Sequence, residues 1–118
     1  MRHFQKLRKF GVKKNQRVAL LKNLAGDLVM KGQLKTTPAK AKSVAIKVEH
    51  LVTLAKKQNL ASFRLLKQRL PAKAADKLYY EIAPKLAKRQ GGYTRITKLA
   101  ERRTQDRSEQ VIISLLSD

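Results

Sequence analysis

Two adjacent glycines, Gly91 and Gly92, divide the chain into two hydrophobic rhythms. Upstream, apolar residues recur mostly every three or four positions; downstream they alternate. Two glycines in succession stop a helix, because Gly takes positive φ readily and has no side chain to pack. A β-prone run, Tyr93 to Leu99, follows at once. Arg89, Arg95 and Lys98 surround the glycines with positive charge, and Tyr93 offers a flat ring. A close backbone, guanidinium forks and a stacking face suit a phosphate chain. The competing reading is a helix C-cap leading into a core strand.

Helical spacing marks four stretches upstream. Asn15 can cap a helix to about Lys31, with Val18, Leu21, Leu24, Ala25, Leu28 and Val29 in one apolar stripe. Gly26 within it costs about 1 kcal/mol of propensity, so a close packing contact is expected there. Gly32 ends the helix, and Gln33 to Thr37 is a short strand candidate. Thr37 as N-cap and Pro38 as first helical residue start a helix to about Lys57. Its core face is Ala41, Val44, Ala45, Val48, Leu51, Val52 and Ala55, with Lys40, Lys42 and Lys47 on the early outer face. Cations near a helix N-terminus oppose its dipole, so Lys40 and Lys42 answer to something outside the helix.

Asn59 opens a shorter helix through Leu70, with Phe63, Leu66 and Leu70 inward. Pro71 begins another, striped by Ala74, Ala75, Leu78, Tyr79 and Ile82; Pro84 either kinks it or starts a last turn through Arg89. Beyond the glycines come the Tyr93–Leu99 strand, a polar connection from Arg102 to Ser108, and a strand from Glu109 to Leu116. Val111, Ile113 and Leu115 share one face of the last strand, and the two strands pair most simply antiparallel. No repeat or linker interrupts the chain. The fold class is therefore α+β: a single compact domain over residues 15–118, several helices on a small sheet of about three strands, preceded by a basic arm over residues 1–14.

That arm carries Arg2, Lys6, Arg8, Lys9, Lys13 and Lys14 and no acid; the first acid in the chain is Asp27. It reads as a segment, poorly ordered when free, that settles along a phosphate backbone. The alternative is a solvated tail. Over the whole chain 28 Lys and Arg stand against 8 Asp and Glu, a net charge of +20. Self-repulsion of that size opposes compaction, so the charge calls for a polyanionic partner, most commonly nucleic acid. A membrane surface fits less well, since no helix joins a basic face to a Trp- or Phe-rich one. No apolar run approaches the roughly 20 residues of a membrane span, and the start lacks a signal peptide's apolar core. Cysteines are absent, which removes disulfides, thiolate metal sites and Cys nucleophiles. His3 and His50 have no ligand-spaced partner. Glu101, Asp106 and Glu109 come nearest to a carboxylate cluster for metal-dependent nuclease chemistry, but Arg102, Arg103 and Arg107 lie among them, so ion pairing is expected. The chain does not read as an enzyme, and no cofactor or small-molecule substrate is implied. A DNA binder remains an alternative, although the helices show Lys, which suits phosphate more than base edges.

Four stretches resemble a known family along nearly the whole chain. They are Met1-Arg2-His3; Arg17-Val18-Ala19-Leu20 with Asn23-Leu24-Ala25; Lys35-Thr36-Thr37-Pro38-Ala39-Lys40-Ala41-Lys42 with Val48-Glu49 and Leu51 to Lys56; and Arg89 with Gly91-Gly92-Tyr93-Thr94-Arg95-Ile96. The chain is similar to the bacterial large-subunit ribosomal protein seventeen family. The resemblance implies helices with one mixed sheet. It implies a structural role in the large subunit, binding rRNA on the solvent side near the peptide exit region, in the cytoplasm. It implies one copy per ribosome beside neighbouring ribosomal proteins. Matched positions bring RNA contacts to Arg2, His3, Arg17, Thr36, Thr37, Lys40, Lys42, Gly92, Tyr93, Thr94 and Arg95. The chain departs from the family at Gln16, where His is usual, at Phe4 and Gln5 in an arm usually richer in Arg, and at Thr104–Ser108, where the turn usually holds Gly-Asp.

Overall fold

In the computed structural model, residues 10–116 are described. The chain order is α1 (Lys14–Lys31), β1 (Gln33–Thr36), α2 (Pro38–Ala55), α3 (Leu60–Arg69), α4 (Ala72–Lys77), a π-helical stretch (Leu78–Ile82), α5 (Ala83–Lys85), β2 (Thr94–Arg102) and β3 (Glu109–Leu115). The fold is α+β, as expected. Its sheet has the order β1-β3-β2, and both pairings are antiparallel. It is thus wholly antiparallel, not mixed: β3 runs between the other two and opposite to each.

Local chemistry explains most element ends. The Gly32 N–H donates to the Leu28 carbonyl at 2.8 Å and closes α1. Pro38 takes the first position of α2, and Asn59 Oδ1 accepts from the Ser62 N–H at 2.7 Å at the start of α3. Asn15 does not cap α1. The helix begins two residues earlier than that cap would give, at Lys14, with Lys13 as an N-cap that makes no side-chain bond. Pro84 has no N–H to give, and its ring would crowd the carbonyl four residues back. The helix widens just before it, where the Ala83 N–H reaches back five residues to Leu78. Helical structure then ends at Lys85, so the final turn does not extend to Arg89 and the glycine pair lies beyond the cap.

The core lies between the helices and the sheet face that carries Val111 and Ile113. Leu28, Val44, Val48, Leu51, Val52, Leu66, Leu70, Leu78 and Leu86 fill it. Gly26 of α1 is buried against α4, where a Cβ would stand 3.0 Å from Cγ and Cδ of Pro71. The expected close contact is there. Only the later half of α1 reaches the core; Val18, placed in the apolar stripe, is 53% exposed. None of β2's nine residues is buried, so it is an exposed edge strand and not a core strand.

Candidate nucleic-acid interface

The loop from Arg89 to Tyr93 is held from beneath by α2. Lys56, just past the helix end, donates to the Arg89 carbonyl and, at 2.9 Å, to the Tyr93 hydroxyl. That hydroxyl donates to the same carbonyl at 3.1 Å. The Lys56 ammonium stabilises the phenolate form and draws the Tyr93 pKa below the usual tyrosine range, with the Gly91 backbone helping. With its loop tied there, the chain passes through Gly91 at φ 84° and Gly92 at φ 63°. Any other residue would be strained at both positions. Chain neighbours apart, no atom of the described residues lies within 4 Å of where a Cβ would stand, so the described part of the chain leaves the outer side of this backbone open.

From the loop, β2 carries its side chains to two faces. Register places Arg95, Ser114 and Gln33 in one row across the sheet, and Thr97, Ile112 and Lys35 in the next. These rows lie on the face away from Val111 and Ile113, so Arg95 and Lys35 share the outer face. Lys98 is in register with Val111 and Thr36 on the other face, at the end of the sheet where α2 begins. The sequence placed Arg95 and Lys98 together around the glycines. Three residues apart on a strand, they point to opposite sides.

Helix geometry divides Lys40 from Lys42 in the same way. Two residues on an α-helix lie about 200° apart, so the two lysines are not on a common face. Lys42, Glu49 and Lys56 repeat at seven residues along the flank that meets β2, where the Thr94 hydroxyl donates to Glu49 Oε1 at 3.3 Å. Lys42 and Lys98 therefore stand at one end of this flank and the glycine loop at the other, about 20 Å away at 1.5 Å per residue. Lys40 lies on the opposite flank with Lys47.

Two expected contacts face inward. Tyr93 is 3% exposed and Thr36 8%, so neither offers a ring face or a free hydroxyl to a partner. Burial of Tyr93 completes the core beneath the loop, and the stacking role expected of it does not hold. Thr37 and Arg17 are half-buried, and Lys13 and Lys14 are exposed. Arg2, His3, Lys6, Arg8 and Lys9 lie outside the described residues. Lys35 and Lys56 were missed. Alternation in β1 could have pointed to Lys35, whereas nothing local links Lys56 to a loop more than thirty residues on.

Three acids make ion pairs among the described residues. Asp106 pairs with Arg103 at 3.3 Å and Glu109 with Arg102 at 3.4 Å, as expected of them, whereas Glu101 makes no ion pair among the described residues. The Ser108 N–H and hydroxyl, with the Arg103 charge a smaller influence, hold the Asp106 carboxyl below its ordinary pKa. Asp76 meets Lys67 at 4.0 Å. Among the described residues no three His, Asp or Glu side chains gather as a metal site, and no helix is long and apolar enough to cross a membrane.

An open glycine backbone beside a basic edge strand, with three acids ion-paired to nearby cations, defines a small, strongly basic α+β scaffold marked by charge and shape. Comparison with known sequences gives the family: a profile described as Ribosomal protein L17 matches residues 20–116. The chain belongs to that family of large-subunit ribosomal proteins, which are structural and not enzymes. It is 50% identical over 117 residues to the large ribosomal subunit protein bL17 of Sulfurihydrogenibium sp. (strain YO3AOP1), covering 98% of this chain and 97% of that one. Identity to bL17 of Persephonella marina is 50% over 118 residues, covering 98% and 95%. With bL17 of Thermus thermophilus it is 42% over 117 residues, covering 98% and 99%.

Proposed function

We propose that the protein binds and stabilises large-subunit rRNA, and that the Gly91–Gly92 loop with the β2 edge is its principal RNA-binding surface. The observation that carries this is the open backbone at the glycine pair, running directly into an edge strand that bears Arg95 and Lys98. Phosphate can approach the loop closely there, while the Arg95 fork holds a backbone bend bidentately. Lys42 and Lys98 add charge at the far end of the flank, and the basic arm supplies more. In the subunit it acts as one copy beside neighbouring ribosomal proteins, on the solvent side near the peptide exit region. That position follows the family resemblance and is checked by cross-linking mass spectrometry on isolated subunits.

Filter binding to a large-subunit rRNA transcript, random RNA and duplex DNA tests the binding itself. With about 8 phosphates neutralised, the slope of log affinity against log salt is on the order of −6 on single strands. Lys42→Ala makes that slope shallower by about one and weakens all RNAs alike. Arg95→Lys keeps the slope but lowers the preference for the transcript over random RNA about tenfold. Equal affinity for duplex DNA, or an Arg95→Lys protein indistinguishable from wild type, overturns the assignment.

A further inference from the structure

The two most exposed large apolar side chains among the described residues, Tyr80 at 64% and Leu60 at 62%, belong to one surface. Phe63 joins them. It stands one turn after Leu60 on the same side of α3, and its ring centroid is 5.6 Å from that of Tyr80. Tyr79 completes the cluster, 4.7 Å from Phe63 and 5.0 Å from Tyr80. The local structure holds these rings in place. The π-helical stretch turns two consecutive tyrosines toward one phenylalanine, and such stretches occur often at functional sites. Gln58, at φ 54°, donates from Nε2 to the Ala55 and Tyr79 carbonyls at 2.9 and 3.0 Å, which ties the α2–α3 connection to the tyrosines. Cations border the rings. The Lys67 ammonium stands 4.8 Å from the Phe63 ring centroid. Arg64, one turn after Leu60, is exposed and makes no ion pair among the described residues. An exposed aromatic cluster with a charged rim has the anatomy of a protein interface, where tyrosine and arginine carry much of the binding energy.

We propose that the Leu60–Phe63–Tyr80 surface docks a segment of a neighbouring large-subunit protein, one that seats a branched aliphatic side chain among the rings and sets an Asp or Glu against Arg64. This rests on membership of a family of large-subunit proteins and stands apart from the glycine-loop reading. Three other occupants fit less well. The rings meet at 52°, 61° and 87°, so a flat RNA base can lie on at most one of them and leaves Leu60 bare. A second copy of the chain brings another charge of +20. The chain's own basic arm brings cations to a cationic rim and no acid for Arg64. An acidic, aliphatic protein segment satisfies the rings and the guanidinium together.

Hydroxyl-radical oxidation of side chains, read by mass spectrometry, tests the occupant with the full chain free, on a protein-free large-subunit rRNA transcript, and in whole large subunits. Leu60 and Tyr80 should be protected about fivefold or more in whole subunits and less than about twofold on the transcript. Arg64→Lys puts an amine on the rim. In subunits carrying that variant, a carbodiimide should couple the amine to an Asp or Glu of another ribosomal protein, with Leu, Ile or Val beside that acid in the sequence. Leu60→Ser/Tyr80→Ser should keep affinity for the transcript within about twofold, yet leave subunits at about half the lithium chloride concentration that releases wild type. Equal protection on the transcript gives the surface to RNA and overturns the proposal. So do oxidation in whole subunits at the rate of the free chain, protection without coupling, and a double variant that resists lithium chloride as wild type does. A wild-type chain that fails to bind the transcript removes the RNA-binding reading alone, and protection with coupling in whole subunits still supports this one.

Discussion

Lys56 is the residue on which the loop surface depends, although it lies under that surface and not on it. Its ammonium joins the Arg89 carbonyl to the Tyr93 hydroxyl, one on each side of the glycine pair. Lys56→Met keeps the length of the stem and removes both donations. A stability loss of about 2 kcal/mol is expected, since hydrogen bonds to charged groups contribute roughly 1.5–3 kcal/mol. The same variant should raise the Tyr93 pKa, read as the tyrosinate absorbance of each protein minus its Tyr93→Phe counterpart. A phenol that titrates alike with and without Lys56 contradicts the geometry. Because the folded pKa of Tyr93 is depressed, its titration contributes stability only above the ordinary tyrosine pKa of about 10, and that contribution is lost as pH falls through the folded value. At neutral pH Tyr93 acts through burial and hydrogen bonds alone. None of this knot was legible in the sequence, where Tyr93 next to two glycines and an arginine has the composition of an exposed stacking site.

At the scale of elements, Gly26 ties α1 to α4. Gly26→Ala gains about 1 kcal/mol of helix propensity but drives a methyl into the Pro71 ring, and overpacking costs about 1–3 kcal/mol. The ring is part of the backbone at the start of α4 and cannot rotate away. The expected result is a net loss of about 1 kcal/mol, seen as a lower urea midpoint at unchanged slope. In a Pro71→Ala background the added methyl has room, and the same change should be neutral or stabilising. Element order and type were readable because the chain is well punctuated: Gly32, Pro38, Asn59 and Pro71 each act locally. Periodicity was a weaker guide. It identified the inward face of α1 but not how far the core extends along it, so Val18 was wrongly placed inside. The π-helical stretch had no local signal beyond Pro84. It brings the adjacent Tyr79 and Tyr80 both onto Phe63, at 4.7 and 5.6 Å between ring centroids, which a regular α-helix does not do.

Across the whole molecule, the charge of +20 sets opposite trends for folding and binding. Raising salt shortens the screening length from about 10 Å at 0.1 M to about 3 Å at 1 M, so self-repulsion weakens. The melting temperature of the free protein should climb by several degrees between 0.05 and 0.5 M sodium chloride, while affinity for rRNA falls over the same range. A melting temperature that is flat or falls with salt shows that the charge is already balanced within the fold. The size of the charge and its implied partner were plain from composition. Its division between two flanks of α2 was not, because it depends on how helices meet. The sheet has a consequence of another kind, one of timing. β3 is the last element in chain order and the middle one in space, with β1 and β2 each paired only to it. Until Leu115 has emerged during synthesis, the two outer strands have no partner and the helices no sheet to close against. The sheet of this large-subunit protein therefore closes in one step, when its central strand becomes available to both outer strands at once.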